Sequence, residues 1–388
     1  MPQVPFEAEE LARDAVDCLP VGELARLLAI GRPLRVKLGI DPTAPDIHLG
    51  HTVVLTKLRA FQDAGHTVVL IIGDYTARVG DPSGRSSTRP QLSDEQIDAN
   101  ARTFQEQAFK VLDPGRVEVR HNSEWLDMTM GDLFALLRTT TVGALLERDD
   151  FAKRRAAQTP ISMLEMLYPL MQAYDSVAVR ADVELGGTDQ KFNLLLGRDV
   201  QRAYGMPEQA ILTMPILVGT EGRLKMSKSL GNQIGVTDPP GEIYGKTMSV
   251  PDTALDQYYR LLLGRPPPAD LGSRDAKRLL ARELVTRFHS ADDAERAEAE
   301  FDLIARGGEP DRIDELRVVP AADGLVHLPG VIADGFGKSR SEARRLLAQG
   351  GVHLDGRVID EIDVAGRRLD GRVLRVGKRH FRRLAVAR

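Results

Sequence analysis

The sequence predicts an α/β fold: a doubly wound parallel sheet with a helical insertion, followed by an α-helical domain and a small α+β domain. Residues 34–65 pass from an alternating strand pattern, through a Pro-containing loop, into apolar residues at helical spacing. Residues 68–72 then form a near-continuous aliphatic run, which is typical of a parallel strand covered on both faces. Strands that alternate with helices in this way indicate a parallel sheet.

Length and composition describe an ordinary globular chain. Its 388 residues suffice for two or three domains, and it is 42% hydrophobic and 28% charged. The single cysteine, Cys18, excludes an intrachain disulfide and a cysteine-based zinc site, and it suits a reducing compartment. Residues 1–30 contain no long apolar run, and residues 68–72 are too few to span a membrane. We therefore expect a cytoplasmic protein without membrane attachment.

Charge is divided unevenly along the chain, although the net charge is only −4. Residues 325–388 contain 14 Lys and Arg against 7 Asp and Glu, whereas the remainder contains 38 against 49. A module of net charge +7 on a body of −11 predicts a polyanionic partner at the C-terminal end. A merely solvated basic tail is the alternative, but the segment has apolar core positions and turn signals of its own.

The first elements of the chain are short. Residues 7–30 predict two helices broken at Pro20, with Cys18 as a small buried hydrophobe in the helical pattern. Residues 34–40 predict the first strand of a nucleotide-binding fold. A loop rich in Gly and Pro, residues 73–85, follows the aliphatic strand. Ligands bind at the carboxyl edge of the strands in open α/β sheets, so this loop is a candidate binding loop.

Helices dominate the middle of the chain. Ser93 and Gln96 form a capping box for a helix that reaches about Leu112. A short strand is predicted at residues 117–119. Residues 125–174 are almost entirely helical in pattern and separate the two halves of the sheet.

Alternating strands and helices resume after this block. We expect a strand at residues 182–185, a helix at 189–204 and the final strand of the sheet at 211–218. Residues 239–308 are helical in pattern and are interrupted by three consecutive prolines. Residues 307–324, with acidic residues and two further prolines, predict a linker.

His48-Leu49-Gly50-His51 lies where the first loop passes into a helix. Free backbone N–H groups and the positive end of the helix dipole both favour a phosphate there. The two histidines share one face of the first turn and can donate to the same phosphate, and Gly50 allows a flat base to approach the backbone. For an isolated H-x-G-H pattern, a loop with two solvated histidines is an equally good interpretation.

A second stretch favours the phosphate interpretation. Lys225-Met226-Ser227-Lys228-Ser229 lies far downstream, in a loop after the final strand. The two stretches resemble the HIGH-type tetrapeptide and the KMSKS pentapeptide of the class I aminoacyl-tRNA synthetases, which occur in this order. The first departs from the pattern only by leucine in place of isoleucine. The resemblance covers essentially the whole chain and is to the bacterial tyrosyl-tRNA synthetases.

The resemblance implies formation of an aminoacyl adenylate from MgATP, with no dedicated protein site for the metal. A carboxylate attacks the α-phosphate in line and pyrophosphate leaves, so catalysis is mostly positioning and electrostatic stabilisation. Thr43, His48 and His51 are expected to donate to the phosphates from one side. Lys225 and Lys228, on a loop able to close, are expected to neutralise pyrophosphate from the other. The expected ATP-binding residues are Gly39, Gly50, His51, Gly187, Asp189, Met226, Ser227 and Lys228.

The resemblance assigns tyrosine recognition to a Y-x-x-x-Q-x-x-D helix. Tyr168, Gln172 and Asp175 match it, and their spacings of four and three place them on one face. Tyr168 and Gln172, with Asp81, are expected to hold the α-ammonium group, and Asp175 to accept the phenol hydrogen bond. Without the flanking motifs, a polar stripe on an amphipathic helix would be the simpler interpretation. The full expected set is Lys37, Asp41, Asp81, Tyr168, Gln172, Asp175 and Gln190.

Lys37 departs from the better-known pattern of the family, in which a tyrosine meets the substrate hydroxyl. It lies on the same strand face as Gly39 and Asp41. Its ammonium can donate to the phenol oxygen while Asp175 accepts from it, or it can turn away and leave that contact to others. Both interpretations are open from the sequence.

The resemblance also implies a domain organisation. The expected regions are a Rossmann-like catalytic domain at 1–235 with a connective insertion at about 123–180, a helical anticodon-side domain at 236–308, a linker at 309–324, and a ribosomal S-four-type RNA-binding domain at 325–388. In that last domain, Lys338, Arg340, Arg344 and Arg345 mark a basic amphipathic helix expected to lie on tRNA phosphates.

The expected partners are tRNA(Tyr), L-tyrosine, ATP and a second copy of the chain. The connective insertion carries the dimer contact in this family, which places the interface around Met163, Met166 and Leu167. Alternatively, these three residues belong to the core of a monomer.

Two competing functions remain. A tryptophanyl-tRNA synthetase would carry both ATP motifs, but the tyrosine helix and the basic C-terminal module favour tyrosine. A non-catalytic RNA-binding protein on a synthetase scaffold would be expected to have lost motif residues, and His48, His51, Lys225 and Lys228 are all present.

Overall fold

A computed structural model describes residues 3–43, 45–83, 93–306, 308–310, 313–377 and 380–387 of the chain. Gly84 and Arg85, the last residues of the predicted loop 73–85, lie outside these ranges. The chain divides into two compact units, Met1–Ser290 and Ala291–Arg388, each described here by itself. In the described ranges, no helix combines the length and apolarity needed to cross a membrane.

The first unit is built on a sheet with the strand order β1-β6-β5-β2-β3-β4. All neighbours are parallel except β1, which pairs with β6 in antiparallel fashion. The predicted α/β fold with a doubly wound sheet is therefore confirmed, and the aliphatic run forms the buried strand β3. The strands are β1 (Asp17–Leu19), β2 (Arg35–Ile40), β3 (Thr67–Ile72), β4 (Val117–His121), β5 (Val183–Gly187) and β6 (Ala210–Met214).

Helices cover the sheet and form the insertion between β4 and β5. Those of the first unit are α1 (Gln3–Ala12), α2 (Glu23–Leu28), α3 (Leu49–Asp63), α4 (Thr76–Val79), α5 (Asp94–Ala108), α6 (Ser123–Leu126), α7 (Met130–Leu137), α8 (Val142–Leu146), α9 (Asp149–Ala156), α10 (Met163–Ala178), α11 (Lys191–Ala203), α12 (Pro240–Ser249), α13 (Leu255–Leu263) and α14 (Ser273–Phe288). The predicted capping box of Ser93 and Gln96 begins α5.

The N-terminal segment follows its prediction in part. One helix lies on each side of Pro20, α1 and α2, as predicted, but Cys18 lies in the edge strand β1 rather than in a helix. Cys18 pairs with Leu212 of β6 and is partly exposed. Tertiary pairing decides the conformation here, because a strand of three residues is too short to carry a periodic signal of its own.

The insertion has a small core of its own, shared by α7 to α11. Met166 is only 8% exposed and packs there with Leu170 and Phe151. The expectation that Met166 lies at a dimer interface is therefore wrong, since it is a core residue of the single chain. Met163, one turn earlier on α10, is 73% exposed.

The second unit contains a sheet of order β10-β9-β12-β13-β7 and a short pair β11-β8. Its core combines these strands with two helices packed on each other, α16 and α17. The elements are α15 (Ala291–Ala305), β7 (Glu315–Val318), β8 (Leu325–His327), α16 (Leu328–Phe336), α17 (Arg340–Ala348), β9 (Val352–Leu354), β10 (Arg357–Val358), β11 (Asp363–Ala365), α18 (Gly366–Leu369), β12 (Val373–Val376) and β13 (His380–Val386).

The predicted linker at 309–324 is not a linker throughout. Its residues 315–318 form β7, which pairs in parallel with β13 and buries Val318. Leu316 and Val318 alternate with charged residues, as a half-buried strand requires. The alternation extends over only four residues, and the acidic residues and prolines around it are typical of a linker. The helix α15, expected to belong to the helical domain, also falls in the second unit.

These boundaries predict where the chain can be cut. A protein that ends at Ser290 should unfold cooperatively and stay in solution, because it contains the whole first unit. A protein that ends at Gly324 retains β7 without β13, so the unpaired edge should promote association. Thermal unfolding and light scattering of both, with the full chain as the reference, measure this. Equal solubility of the two truncated proteins would contradict the assignment of β7.

Candidate active site

Two histidines form the start of α3. His48 is the residue that caps the helix, and its Nδ1 accepts the backbone N–H of Gly50 at 3.2 Å. The Nδ1 of His51 accepts the backbone N–H of His48 at 3.2 Å. The two ring centroids lie 3.9 Å apart with their planes tilted by 35°, so the rings contact each other at the helix N-terminus.

Both rings are neutral near pH 7. Burial lowers the pKa of His48 to about 2, with smaller contributions from the neighbouring His51 and Lys225, and burial lowers the pKa of His51 to about 4. A neutral imidazole whose Nδ1 accepts a hydrogen bond carries its proton on Nε2. The backbone therefore fixes both histidines as Nε2–H donors, which is the form that can bind a phosphate oxygen without carrying charge.

The lysine loop contacts this helix start. A Cβ added to Gly50 would lie 3.0 Å from the His48 ring and 3.7 Å from the Cβ of Met226, which is 5% exposed. The backbone N–H of Leu49 also donates to the carbonyl of Ile234 at 2.9 Å. The two stretches identified in the sequence thus meet in the fold, and Gly50 lies beside Met226 of the lysine loop.

Both lysines of the loop lie against carboxylates. The Nζ of Lys228 is 2.6 Å from an oxygen of Asp46, and that of Lys225 is 3.6 Å from an oxygen of Asp189. Burial raises the pKa of Asp189, and Lys225 partly offsets this shift. These pairs are about half exposed, so the lysines remain able to exchange partners.

One buried side chain holds the loop in shape. Asn232 is 7% exposed, and its Oδ1 accepts the backbone N–H of Ser227 at 2.8 Å. Its Nδ2 donates to the carbonyl of Lys225 at 3.1 Å. Gly231 provides the left-handed turn, with φ of +65°, that joins these contacts.

A second cluster surrounds Asp41, directly after β2. Its Oδ2 accepts a hydrogen bond from the Tyr168 hydroxyl at 2.7 Å, and its Oδ1 accepts one from Thr76 at 2.7 Å. Burial, together with Asp41 and other carboxylates, raises the pKa of Tyr168 well above its ordinary value. Tyr168 is therefore a firmly protonated donor. Thr43 lies in the turn after Asp41, where its N–H donates to the Asp41 carbonyl.

Amide side chains connect the remaining predicted residues. The Nε2 of Gln190 donates to Asp81 at 2.7 Å, and the Nδ2 of Asn193 donates to the Oε1 atoms of Gln190 and Gln172 at 3.0 and 2.8 Å. The structure thus brings Asp81, Gln172 and Gln190 together, although they come from three separate segments. Gly39 is the next-to-last residue of β2 and Gly187 is the last residue of β5, so both lie at the carboxyl ends of their strands.

Asp175 lies at the buried end of this arrangement, 3% exposed. It accepts a hydrogen bond from the Trp125 indole at 2.8 Å. Burial raises its pKa to about 7, and the hydrogen bond from Trp125 and the positive charge of Lys37 act in the opposite direction. The carboxyl group is thus able to change its protonation state near neutral pH.

The structure favours the second of the two interpretations of Lys37, in which its side chain turns away from the substrate. Its side chain is fully buried, and its Nζ lies 2.7 Å from the Ser176 hydroxyl, 3.0 Å from the Gln172 carbonyl and 3.0 Å from Glu184. The three ammonium hydrogens therefore have protein acceptors. The expectation that Lys37 donates directly to a substrate phenol is not supported, because burial beside Glu184 makes that partner set more favourable.

The four basic residues expected to bind tRNA lie on α17 or two residues before it. Arg340, Arg344 and Arg345 are exposed, while Lys338 is partly buried and lies 3.0 Å from Glu342 on the next turn. The three arginines therefore present their charge to solvent, and Lys338 is partly neutralised.

Sequence reasoning missed four residues that organise these clusters: Asp46, Arg148, Glu184 and Asn193. Asp46 lies two residues before His48. An acidic residue so close to a phosphate motif is unusual, and it was a usable signal. Glu184 is a charged residue within an apolar strand run, and such a residue is also a usable signal. Arg148 and Asn193 give no local signal, because only the tertiary fold brings them to the site.

Comparison with known proteins covers nearly the whole chain. Residues 29–305 match the family described as tRNA synthetases class I (W and Y), and residues 331–363 match the S4 domain. The tyrosine–tRNA ligase of Thermotoga maritima is 50% identical over 387 residues, covering 97% of this chain and 96% of that protein. That of Ralstonia nicotianae is 51% identical, covering 94% and 95%.

Solved structures with the same fold include a C-terminally truncated mitochondrial tyrosyl-tRNA synthetase of Aspergillus nidulans. It is 23% identical with a TM-score of 0.65, and the match covers 78% of this chain and 94% of that one. The tyrosyl-tRNA synthetase of Archaeoglobus fulgidus in complex with L-tyrosine is 24% identical with a TM-score of 0.61, covering 76% and 99%. At these identities the two structures establish the fold.

Asp175 should make stability depend on pH in a defined direction. Its folded-state pKa of about 7 exceeds the ordinary value of 3.8, so the folded protein binds the extra proton between these values. The stability contributed by Asp175 therefore falls as pH rises from about 4 to about 7. Asp175→Asn removes this term, so its unfolding free energy should rise relative to the parent across that window, by up to about 4 kcal/mol.

Urea unfolding of both proteins at a series of pH values measures the difference. Trp125→Phe removes a hydrogen bond that lowers the pKa of Asp175, so in that background the window should move to higher pH. A difference between parent and Asp175→Asn that is flat from pH 4 to 7 would show that the carboxyl group does not titrate there.

Proposed function

The chain belongs to the W and Y family of class I tRNA synthetases, and from that premise we propose that it is a tyrosine–tRNA ligase. It activates L-tyrosine with MgATP to tyrosyl-adenylate and pyrophosphate, then transfers tyrosine to the 3′ end of tRNA(Tyr). The observation that carries this proposal is the contact between the two phosphate motifs, together with the helix of Tyr168, Gln172 and Asp175. The names of the similar ligases support tyrosine as the amino acid.

ATP phosphates would lie between the start of α3 and the lysine loop. His48 and His51 offer neutral Nε2–H donors at a helix N-terminus, with Thr43 nearby in the preceding loop. Lys225 and Lys228 lie opposite, on the loop that carries Met226 and Ser227. Charge on the leaving pyrophosphate rises in the transition state, so cations delivered by this loop stabilise the transition state more than bound ATP. Gly187 and Asp189, at the end of β5, are proposed to bind the ribose.

The amino acid would lie beside α10. Its α-ammonium group meets the acceptors of Asp81, Tyr168 and Gln172, and the acidic edge around Asp41 favours a cation there. Its phenol hydroxyl donates to Asp175 at the buried end. The carboxylate is then directed toward the α-phosphate, with Gln190 alongside. This arrangement places the nucleophile and ATP at one sheet edge, which is the positioning that adenylate formation requires.

The second unit would bind tRNA through the exposed arginines of α17. Arginines bind RNA backbones mainly through phosphates, with affinity that falls as salt rises. The match of residues 331–363 to the S4 domain supports this assignment. The truncated protein that ends at Ser290 tests adenylate formation and tRNA charging separately. It should still make adenylate but charge tRNA poorly.

We also propose a homodimer formed by the insertion, and action in the cytoplasm, where ATP and tRNA are available. Large apolar side chains on three helices of the insertion are exposed, which is typical of a covered surface. They are Met130 and Phe134 on α7, Val142 on α8, and Met163 and Leu164 on α10. Leu167, partly buried on α10, stays a candidate at the edge of this surface.

The direct test is ATP–pyrophosphate exchange with each amino acid in turn. Purified protein with MgATP should exchange with tyrosine and reject phenylalanine, because an amino acid without the hydroxyl removes one hydrogen-bond partner from the buried Asp175 carboxyl group. Asp175→Ala should weaken tyrosine binding and relax the rejection of phenylalanine. Exchange with tryptophan alone would show that the chain is a tryptophanyl-tRNA synthetase. Exchange with no amino acid would favour a non-catalytic RNA-binding protein.

The lysine loop gives a second test. Lys225→Ala and Lys228→Ala should lower kcat for exchange with little change in KM for tyrosine, since these cations meet charge that develops on pyrophosphate. A cost of roughly 2–4 kcal/mol in activation free energy is expected, by analogy with deletion of an oxyanion-site donor. Lys153→Ala, which removes an exposed lysine paired with Asp149 on α9, is the matched control. Unchanged kcat in both loop variants would assign the loop another role.

A further inference from the structure

Arg148 is a buried guanidinium that the proposed reaction does not yet use. It is 4% exposed, at the residue that caps α9 in the insertion. Its Nη1 donates to the Oδ1 of Asn193 at 2.8 Å, and its Nη2 donates to the Ser83 hydroxyl at 2.8 Å. Asp150 neutralises it through contacts of 2.8 and 3.0 Å, and two phenylalanine rings lie 5.1 and 5.8 Å from its central carbon.

This guanidinium determines how the neighbouring amides point. Arginine can only donate hydrogen bonds, so Asn193 must turn its oxygen toward Arg148. The Nδ2 of Asn193 is then directed at the oxygens of Gln172 and Gln190, at 2.8 and 3.0 Å. Both glutamines must in turn direct their own amide N–H groups at carboxylates, Glu184 at 3.3 Å and Asp81 at 2.7 Å. One donor-only cation therefore orients three amide side chains in sequence.

The orientation matters because an α-ammonium group is also donor-only. The Gln172 amide serves such a cation only when its oxygen faces the substrate, and a carbonyl oxygen has a second lone pair beside the one given to Asn193. A rotated amide would present N–H groups to the cation instead. Asp81 is held on the same side, since it accepts from Gln190 and lies 3.9 Å from Arg148.

We propose that Arg148 is a positioning residue for recognition of the tyrosine α-ammonium group, acting through Asn193 on the acceptor oxygens of Gln172 and Asp81. The inference rests on the proposed function, whose amino-acid site it refines. It makes a residue of the helical insertion a determinant of substrate affinity without any contact to the substrate.

Two inhibitors separate this role from general support of the fold. Tyramine carries the ammonium group and lacks the carboxylate, whereas 3-(4-hydroxyphenyl)propionate carries the carboxylate and lacks the ammonium group. Both should compete with tyrosine in pyrophosphate exchange. In Arg148→Met, the inhibition constant of tyramine should rise roughly tenfold or more, the loss expected when a charged hydrogen-bond partner is removed. The constant for the propionate and the KM for ATP should stay close to those of the parent.

Arg148→Lys keeps the charge but cannot span Asn193 and Ser83 at once, because a lysine lacks the planar fork. It should therefore resemble Arg148→Met in the ratio of the two inhibition constants. Arg154→Met is the matched control. Arg154 is equally buried on α9 and is paired with Glu165 at 2.7 Å, with no contact to the amide series among the described residues. It should lower stability and leave the ratio unchanged.

The route through Asn193 is tested by a double-mutant cycle. If Arg148 acts through Asn193, then Arg148→Met and Asn193→Leu should have less than additive effects on tyramine binding. Additive effects would overturn the relay. A loss of affinity for both inhibitors in equal proportion would also overturn the proposal, because it would reduce Arg148 to support of the insertion. Failure of the parent protein to exchange with tyrosine is a different result, which refutes the proposed function itself.

Discussion

The buried ion pair of Lys37 and Glu184 joins the parts of the first unit on which the candidate site depends. The two residues are direct partners in the register of β2 and β5, their side chains are 0% and 1% exposed, and Nζ lies 3.0 Å from the carboxylate. The same ammonium bonds α10 through the Gln172 carbonyl and the Ser176 hydroxyl. The helix that carries the recognition residues is thus fixed to the sheet by charge as well as by packing. Removal of one partner alone would leave an uncompensated buried charge, at a cost of about 3–5 kcal/mol.

The edge formed by the carboxyl ends of the parallel strands brings the remaining groups together. Asp41 follows β2, Asp81 lies beyond β3, and Asp189 follows β5, so three separate segments supply carboxylates to one region. Such an edge attracts a substrate ammonium group but repels the phosphates of ATP. The cations that offset it come from elsewhere, since Lys225 and Lys228 belong to the loop after β6. This division explains why a sheet edge rich in acids can serve a reaction whose second substrate is a polyanion.

Most of the fold and part of the site could be predicted from the sequence, and the failures have a common cause. The strand β3 and the start of α3 were predictable because burial and capping leave local patterns. The strands β1 and β7 were missed because a few residues carry no periodicity and tertiary pairing decides their conformation. The contacts of Lys37 could not be predicted, since its direction depends on Glu184 across the sheet. Arg148 and Asn193 were missed for the same reason, because an amide relay exists only once separate segments are folded together.

The contrast between the histidines and the lysines accounts for how the phosphates would be treated during the reaction. His48 and His51 are partly buried, neutral and fixed by backbone N–H groups, so they provide direction without charge. Lys225 and Lys228 are about half exposed, and each lies against one carboxylate among the described residues. A fixed buried cation would bind ATP and the transition state alike, which lowers KM without raising kcat. In the proposed reaction, a charge on a loop that can change partners would meet pyrophosphate as negative charge develops there, and this difference between ground state and transition state would accelerate the step.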